Sequence, residues 1–466
     1  MDEKLEHLYD ELALEYQRHF PLSGKQHVRS RAVMVDGGQH TIRLLSPHPV
    51  YIKAATGAYV YDLDGHSILD FWQGHFANIL GHNPPEVTRV LSDMLAEGYG
   101  LQTGMVDDLA FNLAALLCQQ TGAERVRFTT SGSLATMYAI MLARAYTGRS
   151  LVLKIGGGWH GSQPWGLVGV NYDERGFQHV ESGGLPGYVE KEVVVTQYNN
   201  GELLSDVFAQ VGDRLACFIL EPVVGAGGAI LARPDYLNLA RELTQKHGAL
   251  LIFDEVISGF RFRAGDVGRL YGIQPDLATF GKIIGGGMPV AAVAGRAEVM
   301  SLAGREGGRV VRFEGGTYSA HPSAMMAGLA MLRHLVDHEN HIYGRLAELG
   351  QQVRERIEHI FANRGILAKC TGYPNDVVKG SSFTMVHFPL KPDVAIDSPD
   401  VVENPACCSL EIRERLFRMA MLLQDVYTMH GFGALSMAHT EDDLEKFYDA
   451  CDHFSQMLRM AKGSVV

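Results

Sequence analysis

The chain has little cysteine, no basic run and no long hydrophobic run, and each shortage excludes something. Its six cysteines, Cys118, Cys217, Cys370, Cys407, Cys408 and Cys451, include no Cys-x-x-Cys pair. A disulfide-dense scaffold and a zinc ribbon are therefore excluded, because both need closely spaced thiol pairs. Lys and Arg number 41 against 53 Asp and Glu, so the formal net charge is −12. Such a balance argues against a nucleic-acid partner, whose phosphates call for clustered basic residues. The longest uncharged apolar stretch, Ile283 to Gly295, is too short and too glycine-rich to cross a bilayer, so no membrane partner is expected. The opening MDEKLEHLYDELALEYQRHF is acidic where a signal peptide would be basic, and it lacks an apolar core. No fixed repeat and no low-complexity segment is visible. A cytoplasmic globular protein is expected.

Apolar residues make up 46% of the 466 positions and charged residues 20%, enough to bury large cores in two or three lobes. Glycine is in excess, at 52 residues, where a usual share of about 7% would give fewer. The surplus belongs in turns and where backbone approaches something closely. Leu5, Leu8, Tyr9, Leu12 and Tyr16 recur at helical spacing, which predicts an amphipathic N-terminal helix docked on the body or on a partner. Tyr59, Tyr61 and Leu63 alternate ahead of Asp64-Gly65, the pattern of a β-hairpin.

From about residue 105 to 300, apolar runs alternate with helical stretches. The clearest unit is ACFIL, then a helix opened by Pro234 and closed by Gly248, then ALLIFDEV. Further runs are VRF at 126–128, LVLKI at 151–155, EVVVT at 192–196 and LATF at 277–280. Their lack of polar alternation predicts parallel strands covered on both faces, and so an α/β domain. After residue 321 helices dominate, with one long helical region over 323–365, and 367–402 is rich in β-formers and turns. We therefore expect an N-terminal segment over 1–70, a large α/β domain over 71–320 and a small α+β domain over 321–466.

Ligands of open α/β sheets bind beyond the carboxyl ends of the strands. Two runs end there in acids, one at Glu221 and one at Asp254-Glu255, which suggests a crevice for a cation. Lys282 follows LATF and precedes a nearly uncharged tract. A lysine held in apolar surroundings has a lowered pKa and becomes a nucleophile suited to a Schiff base. The Gly281-Lys282 pair is not a P-loop, since Asp276 stands at the first glycine's place and Ile283 follows the lysine. Thr130-Ser131-Gly132-Ser133 lies between a strand and a helix, where free N–H groups and hydroxyls bind phosphate; a plain serine N-cap would read the same way.

Two motifs are set aside. GGGWHG at 156–161 fits G-x-G-x-x-G, but Pro164 and further glycines follow where a dinucleotide fold needs a helix. A nicotinamide-dependent oxidoreductase would rest on that match alone. His334, His338 and His341 share a helix face without the His-Glu-x-x-His arrangement, so no metal site is expected.

As an ordered set these motifs resemble the fold-type I pyridoxal-phosphate enzymes, specifically the class III aminotransferase family in its glutamate-1-semialdehyde 2,1-aminomutase and β-amino-acid aminotransferase branch. The resemblance runs from about Tyr51 to Phe447. It implies a large domain built on a mostly parallel seven-stranded sheet, a smaller α+β domain, and a homodimer with shared active sites. It also implies pyridoxal 5′-phosphate as cofactor. Ser131-Gly132-Ser133 resembles the family's phosphate loop, and Trp159-His160-Gly161 its aromatic-His-Gly turn, with Trp159 on the cofactor ring. Asp254-Glu255-Val256 resembles the Asp-Glu-Val motif, in which Asp254 pairs with the pyridine nitrogen and Val256 packs on the opposite ring face. Glu221 joins this cofactor set as the neighbouring acid, and Lys282 falls on the Schiff-base lysine. Gly316-Thr317-Tyr318 resembles the turn whose threonine reaches the phosphate of the neighbouring subunit. Lys282 and Asp254 are thus the implied catalytic residues. A non-catalytic member would lack one of the two.

The resemblance implies transfer of an amino group between an amino acid or amine and a keto or aldehyde acceptor. The intramolecular aminomutase reaction is the alternative. Against the mutase pattern, Leu134 replaces a glutamate, Gln73-Gly74-His75-Phe76 replaces Gly-Ser-Trp-Gly, and VYTMHGFGALSMAHT carries no glutamate. In the β-amino-acid enzymes an arginine for the substrate carboxylate would be expected near His430, and none stands there. Arg29 or Arg261 is the substitute this reading offers, with His75, Phe76 and His430 as further substrate contacts.

Overall fold

Six of the apolar runs lie side by side at the centre of the protein. The computed structural model describes residues 3–305 and 310–463. In it β1 (Ile52–Thr56), β2 (Tyr59–Asp62) and β3 (Ser67–Asp70) precede β4 (Arg125–Thr129), β5 (Leu151–Ile155), β6 (Val193–Thr196) and β7 (Leu215–Leu220). Then come the two-residue strands β8 (Val223–Val224) and β9 (Ile230–Leu231), followed by β10 (Leu250–Glu255), β11 (Leu277–Phe280) and β12 (Ala291–Gly295). The main sheet has seven strands in the order β4-β12-β11-β10-β7-β5-β6. It is mostly parallel, with β12 alone antiparallel to both neighbours.

The strand β12 is the one member of the sheet that its sequence conceals. AAVAG has a single β-branched residue, so propensity gives no strand signal. Its small side chains serve packing instead. Ala291 and Val293 lie in one buried cluster with Ala135, Ala139 and Ala143 of the helix Gly132–Thr147, so that helix can approach the sheet closely. The strand–helix–strand unit forms as expected, with Pro234 in the first turn of the helix Pro234–His247 and Gly248 left-handed at its C-cap.

The hairpin forms too. The Asp62 carboxylate closes it by accepting from the backbone N–H of Gly65 and His66, both at 2.7 Å. β1, β2 and β3 make a small sheet completed by the strand Val426–Tyr427, which runs parallel to β3. Residues far apart in sequence thus share one layer. The N-terminal helix Glu3–His19 buries Leu5, Leu8, Leu12 and Tyr16 in the same core as the C-terminal helices. It docks on the body, and the Tyr16 hydroxyl donates to the His48 carbonyl at 2.8 Å.

The long helical region is two helices, Pro322–Asp337 and Glu339–Ala362, broken where His338 leaves helical geometry at φ −119°. The rings of His334 and His338 stack at 4.3 Å. Residues 367–402 supply only two-residue strands and a short helix. No helix among the described residues is long and apolar enough to cross a membrane.

Candidate active site

The carboxyl ends of β4, β5, β7, β10 and β11 converge on a cavity of about 440 Å³. One wall is the N-terminus of the helix Gly132–Thr147, where the Ser131 side chain accepts from the Leu134 N–H at 3.3 Å as an N-cap. The turn after β5 is tied to that helix: the Ser162 N–H donates to Ser133 Oγ and the Thr136 hydroxyl to the His160 carbonyl. A Cβ on Gly161 would stand 2.4 Å from Ser133 Oγ, so only glycine permits this contact. No helix follows that turn before Glu190–Glu192, so the G-x-G-x-x-G pattern here makes no dinucleotide site.

The acids differ in their tasks. Buried Asp254 accepts from Thr279 Oγ1 at 2.8 Å and from the Val256 N–H at 3.1 Å on one oxygen, and pairs with His160 Nδ1 at 2.8 Å on the other. Burial lowers the His160 pKa against the opposing pull of Asp254. A neutral ring that donates from Nδ1 fits this arrangement, and Nε2 is then buried without a partner. Glu221 accepts from the Trp159 N–H at 3.0 Å and from the Gly225 N–H at 2.9 Å. Burial, followed by the charge of Asp254, pushes its carboxyl upward. Glu255 faces elsewhere, accepting from the N–H groups of Val267 and Gly268, and does not line the cavity. The pair Asp254-Glu255 is therefore split between a site and a loop clamp.

Lys282 opens the turn after β11 with φ +49°, a left-handed conformation that costs a side-chain-bearing residue energy. Desolvation lowers its pKa to about 8, with Asp254 and Glu221 pulling the other way. Lys154 went unread in the sequence because it sits inside the apolar run of β5. It is fully buried and donates to the carbonyls of Gly158, Gly166 and Val168 at 3.0, 3.3 and 2.6 Å, pinning the segment that carries Trp159 and His160.

The aminotransferase class-III family pattern matches residues 44–369. The chain belongs to that family. A glutamate-1-semialdehyde 2,1-aminomutase of Thermoplasma acidophilum is 34% identical over 91% of this chain and 96% of its own. Among solved structures, an omega-transaminase from Sphaerobacter thermophilus shares 33% identity with a TM-score of 0.83, over 95% of this chain and 98% of its own. A β-phenylalanine aminotransferase from Variovorax paradoxus shares 28% identity with a TM-score of 0.84, over 97% of each chain. The fold is that of the fold-type I transaminases.

Class III aminotransferases are pyridoxal-phosphate enzymes, and the cavity residues of this one fit that group. The helix N-terminus with Ser131, Gly132 and Ser133 suits a phosphate. His160 Nε2 is a buried polar atom still lacking a partner. Added Cβ atoms on Gly132 and Gly281 would stand 3.0 and 3.1 Å from Val256 Cγ1, so two glycines leave room for the valine that floors the cavity.

The substrate-facing residues of this class III aminotransferase need correction. Arg29 is exposed on the helix Pro21–Arg31 and lines no part of the cavity. Arg261 is buried and spent on the carbonyls of Phe76 and Ile257 and the Ser382 hydroxyl, so it acts as a brace. The arginine at the cavity is Arg43, which the sequence reading passed over because it lies in a stretch with no periodicity. Its Nε donates to His75 Nε2 at 2.9 Å, and it has no carboxylate partner among the described residues. His75 lies in a left-handed turn in which Gln73, Gly74, His75 and Phe76 all have φ between +49° and +67°. Burial, with Arg43 and His40 adding, drops its pKa to about 3, so it stays neutral. Phe76 is buried edge-on against Phe383 and lines, with His75, a cavity adjoining this one.

His430 lies on an adjoining cavity of about 590 Å³ shared with Trp159, Lys282 and Glu414. Its Nδ1 pairs with Glu414 at 3.2 Å. Although burial alone would raise the Glu414 pKa, Arg413 and His430 hold it well below the carboxylate range. An acid therefore does reach this part of the site, from 411–417 rather than from 426–440. Thr317 is exposed outside its own chain's cavity, and its carbonyl accepts from Gln102 Nε2 at 2.6 Å.

Proposed function

We propose that the protein catalyses intermolecular amino transfer from a carboxylate-bearing amino acid to a keto or aldehyde acceptor. The observation that carries this reading is Arg43, a guanidinium with no carboxylate partner among the described residues, on the cavity that also holds Lys282. A substrate carboxylate would dock on Arg43 bidentately. Neutral His75, accepting from Nε, holds the guanidinium in place while the two Nη groups face the ligand.

Bound pyridoxal phosphate supplies an electron sink for the carbon that loses its proton. Ser131, Gly132 and Ser133 would hold its phosphate, and Trp159 and Val256 would enclose its ring. Asp254, fixed by Thr279, Val256 and His160, would pair with the ring nitrogen of the bound cofactor. Lys282 Nζ takes the proton from the substrate carbon and returns it, a task suited to an amine whose pKa lies close to the working pH. Thr317, exposed on its own chain, would complete the phosphate site of a second copy, so the active form is a homodimer with shared sites.

The aminomutase reading is favoured by one observation, the name shared by curated relatives at 33–38% identity. Mixing the protein with carboxylate-bearing amines and keto acids distinguishes the two. Transfer predicts that a donor bleaches the visible cofactor absorbance and that an acceptor restores it. Turnover of glutamate-1-semialdehyde without a second substrate, at a rate above any transfer, would establish the mutase instead.

A further inference from the structure

A substrate carbon reacting at Lys282 has two further substituents to place, and two cavities open beside the lysine to receive them. One, of about 500 Å³, shares Arg43 and Lys282 with the cofactor cavity and is walled by apolar side chains such as Leu45, Ile52 and Leu422. The other, of about 590 Å³, shares Lys282, Trp159 and Ile257 with the cofactor cavity but does not reach Arg43. A substrate whose carboxylate lies on Arg43 therefore directs its other substituent into this second cavity.

The lining of that cavity is part apolar, from Trp72, Phe76 and Ile257, and part acidic, from Glu403 and Glu414. Neither acid lines the cofactor cavity, so both stand on the side away from it. Both oxygens of Glu414 are taken, by Arg413 Nε at 2.6 Å and by His430 Nδ1 at 3.2 Å. Glu403 Oε1 accepts from Arg413 Nη2 at 2.7 Å, and its Oε2 has no partner among the described residues. Two carboxylates thus share one guanidinium. Arg413 itself is buried behind them, is also spent on His387 and the Val402 carbonyl, and does not line the cavity. Lys282, the reacting amine, is the single lysine or arginine among the described lining residues. His40 and His75 line it too, and burial, with Arg43 adding, lowers the pKa of each, so neither supplies a counter-charge.

We infer that the amino donor carries, besides its carboxylate, a side chain with an apolar stem and a cationic nitrogen at its end, bound by Glu403, and that dicarboxylates are rejected. Trp72, Phe76 and Ile257 would cover the stem. The free Glu403 oxygen would accept a charge-assisted hydrogen bond from an ammonium or guanidinium head. A second carboxylate in the same place would meet two carboxylates and no free guanidinium, and such like-charge contact is how a site turns away a wrong partner. The inference rests on the amino-transfer reading and narrows its donors to diamino monocarboxylates and their guanidino counterparts.

The test uses the cofactor-loaded protein and donors that share a stem and differ at its end: lysine, norleucine and α-aminoadipate, together with the β-amino isomers of the same three. Bleaching of the visible cofactor absorbance gives the rate for each donor. In the series that reacts, the diamino acid should exceed the alkyl donor by about 10-fold and the dicarboxylate by about 100-fold or more. Glu403→Gln should remove the preference over the alkyl donor by slowing the diamino acid, and Glu403→Lys should turn the preference toward the dicarboxylate. Retained cofactor absorbance and circular dichroism show that each variant is folded. A dicarboxylate that bleaches the unsubstituted protein as fast as the diamino acid would overturn the inference and leave amino transfer standing. So would a preference that Glu403→Gln leaves intact. Failure of every carboxylate-bearing amine to bleach the cofactor would remove the amino-transfer reading, and this inference with it.

Discussion

The cavity has two halves built in different ways. The half around Asp254, His160 and Ser131 stands on strand ends and one helix N-terminus of the main sheet, and its polar atoms are held by near neighbours such as Thr279 and Val256. The half around Arg43, His75, His430 and Glu414 stands on turns. There His75, Phe76 and His430 have left-handed backbones, and the charged groups pair between separate turns, Arg43 with His75 and Glu414 with His430. Regular structure fixes the half that performs the same chemistry on every substrate. In the proposed reading, loops supply the half that selects the substrate, because their side chains can be changed without disturbing the sheet.

The sharpest way to break this comparison is Lys282→Ala, which should lower turnover by about 10⁴-fold or more in a single-turnover assay, since no second lysine among the described residues lines the cavity. Asp254→Ala should lower kcat by about 10³-fold with little change in cofactor affinity, read from cofactor titration against kcat. On the loop side, Arg43→Ala should raise KM by about 10- to 100-fold for carboxylate-bearing donors, the loss of one charge-assisted pair. It should leave simple amines nearly unaffected, and equal effects on both would remove Arg43 as the carboxylate receptor. Lys154→Met should cost about 2 kcal/mol in urea unfolding, because three carbonyls lose their shared donor. The smallest effect concerns pH. Lys282 reacts only as the free amine, and burial lowers its pKa to about 8. Uptake of pyridoxal phosphate by cofactor-free protein should therefore rise with pH through that value and level off above it. A rise continuing to about pH 10 would mark an ordinary lysine.

The two halves were unequally legible. Asp254 directly follows an apolar run, and Lys282, Ser131 and His160 stand within five residues of the end of one, so the runs announce where they stand. Arg43 has no such signal, and its nearest partner, His75, lies 32 residues on. Arg261 misled for a related reason: an arginine beside a motif carries no mark of whether its donors are already taken. Lys154 was hidden because a lone lysine in LVLKI reads as part of a strand, whereas the fold turns it inward onto three carbonyls. The strand AAVAG was hidden by composition, since small residues chosen for close helix packing carry no strand propensity.

By itself the sequence determined the α/β architecture, the strand ends that hold the lysine and the aspartate, and the serine-glycine helix start, because each depends on residues close together in the chain. Only the tertiary structure decided which arginine reaches the cavity, which acid of Asp254-Glu255 faces it, and that Glu414 meets His430. Those outcomes depend on which donors are already satisfied and on contacts between segments far apart in sequence. No local pattern encodes either, because a hydrogen-bond partner is chosen by position in space rather than by position along the chain.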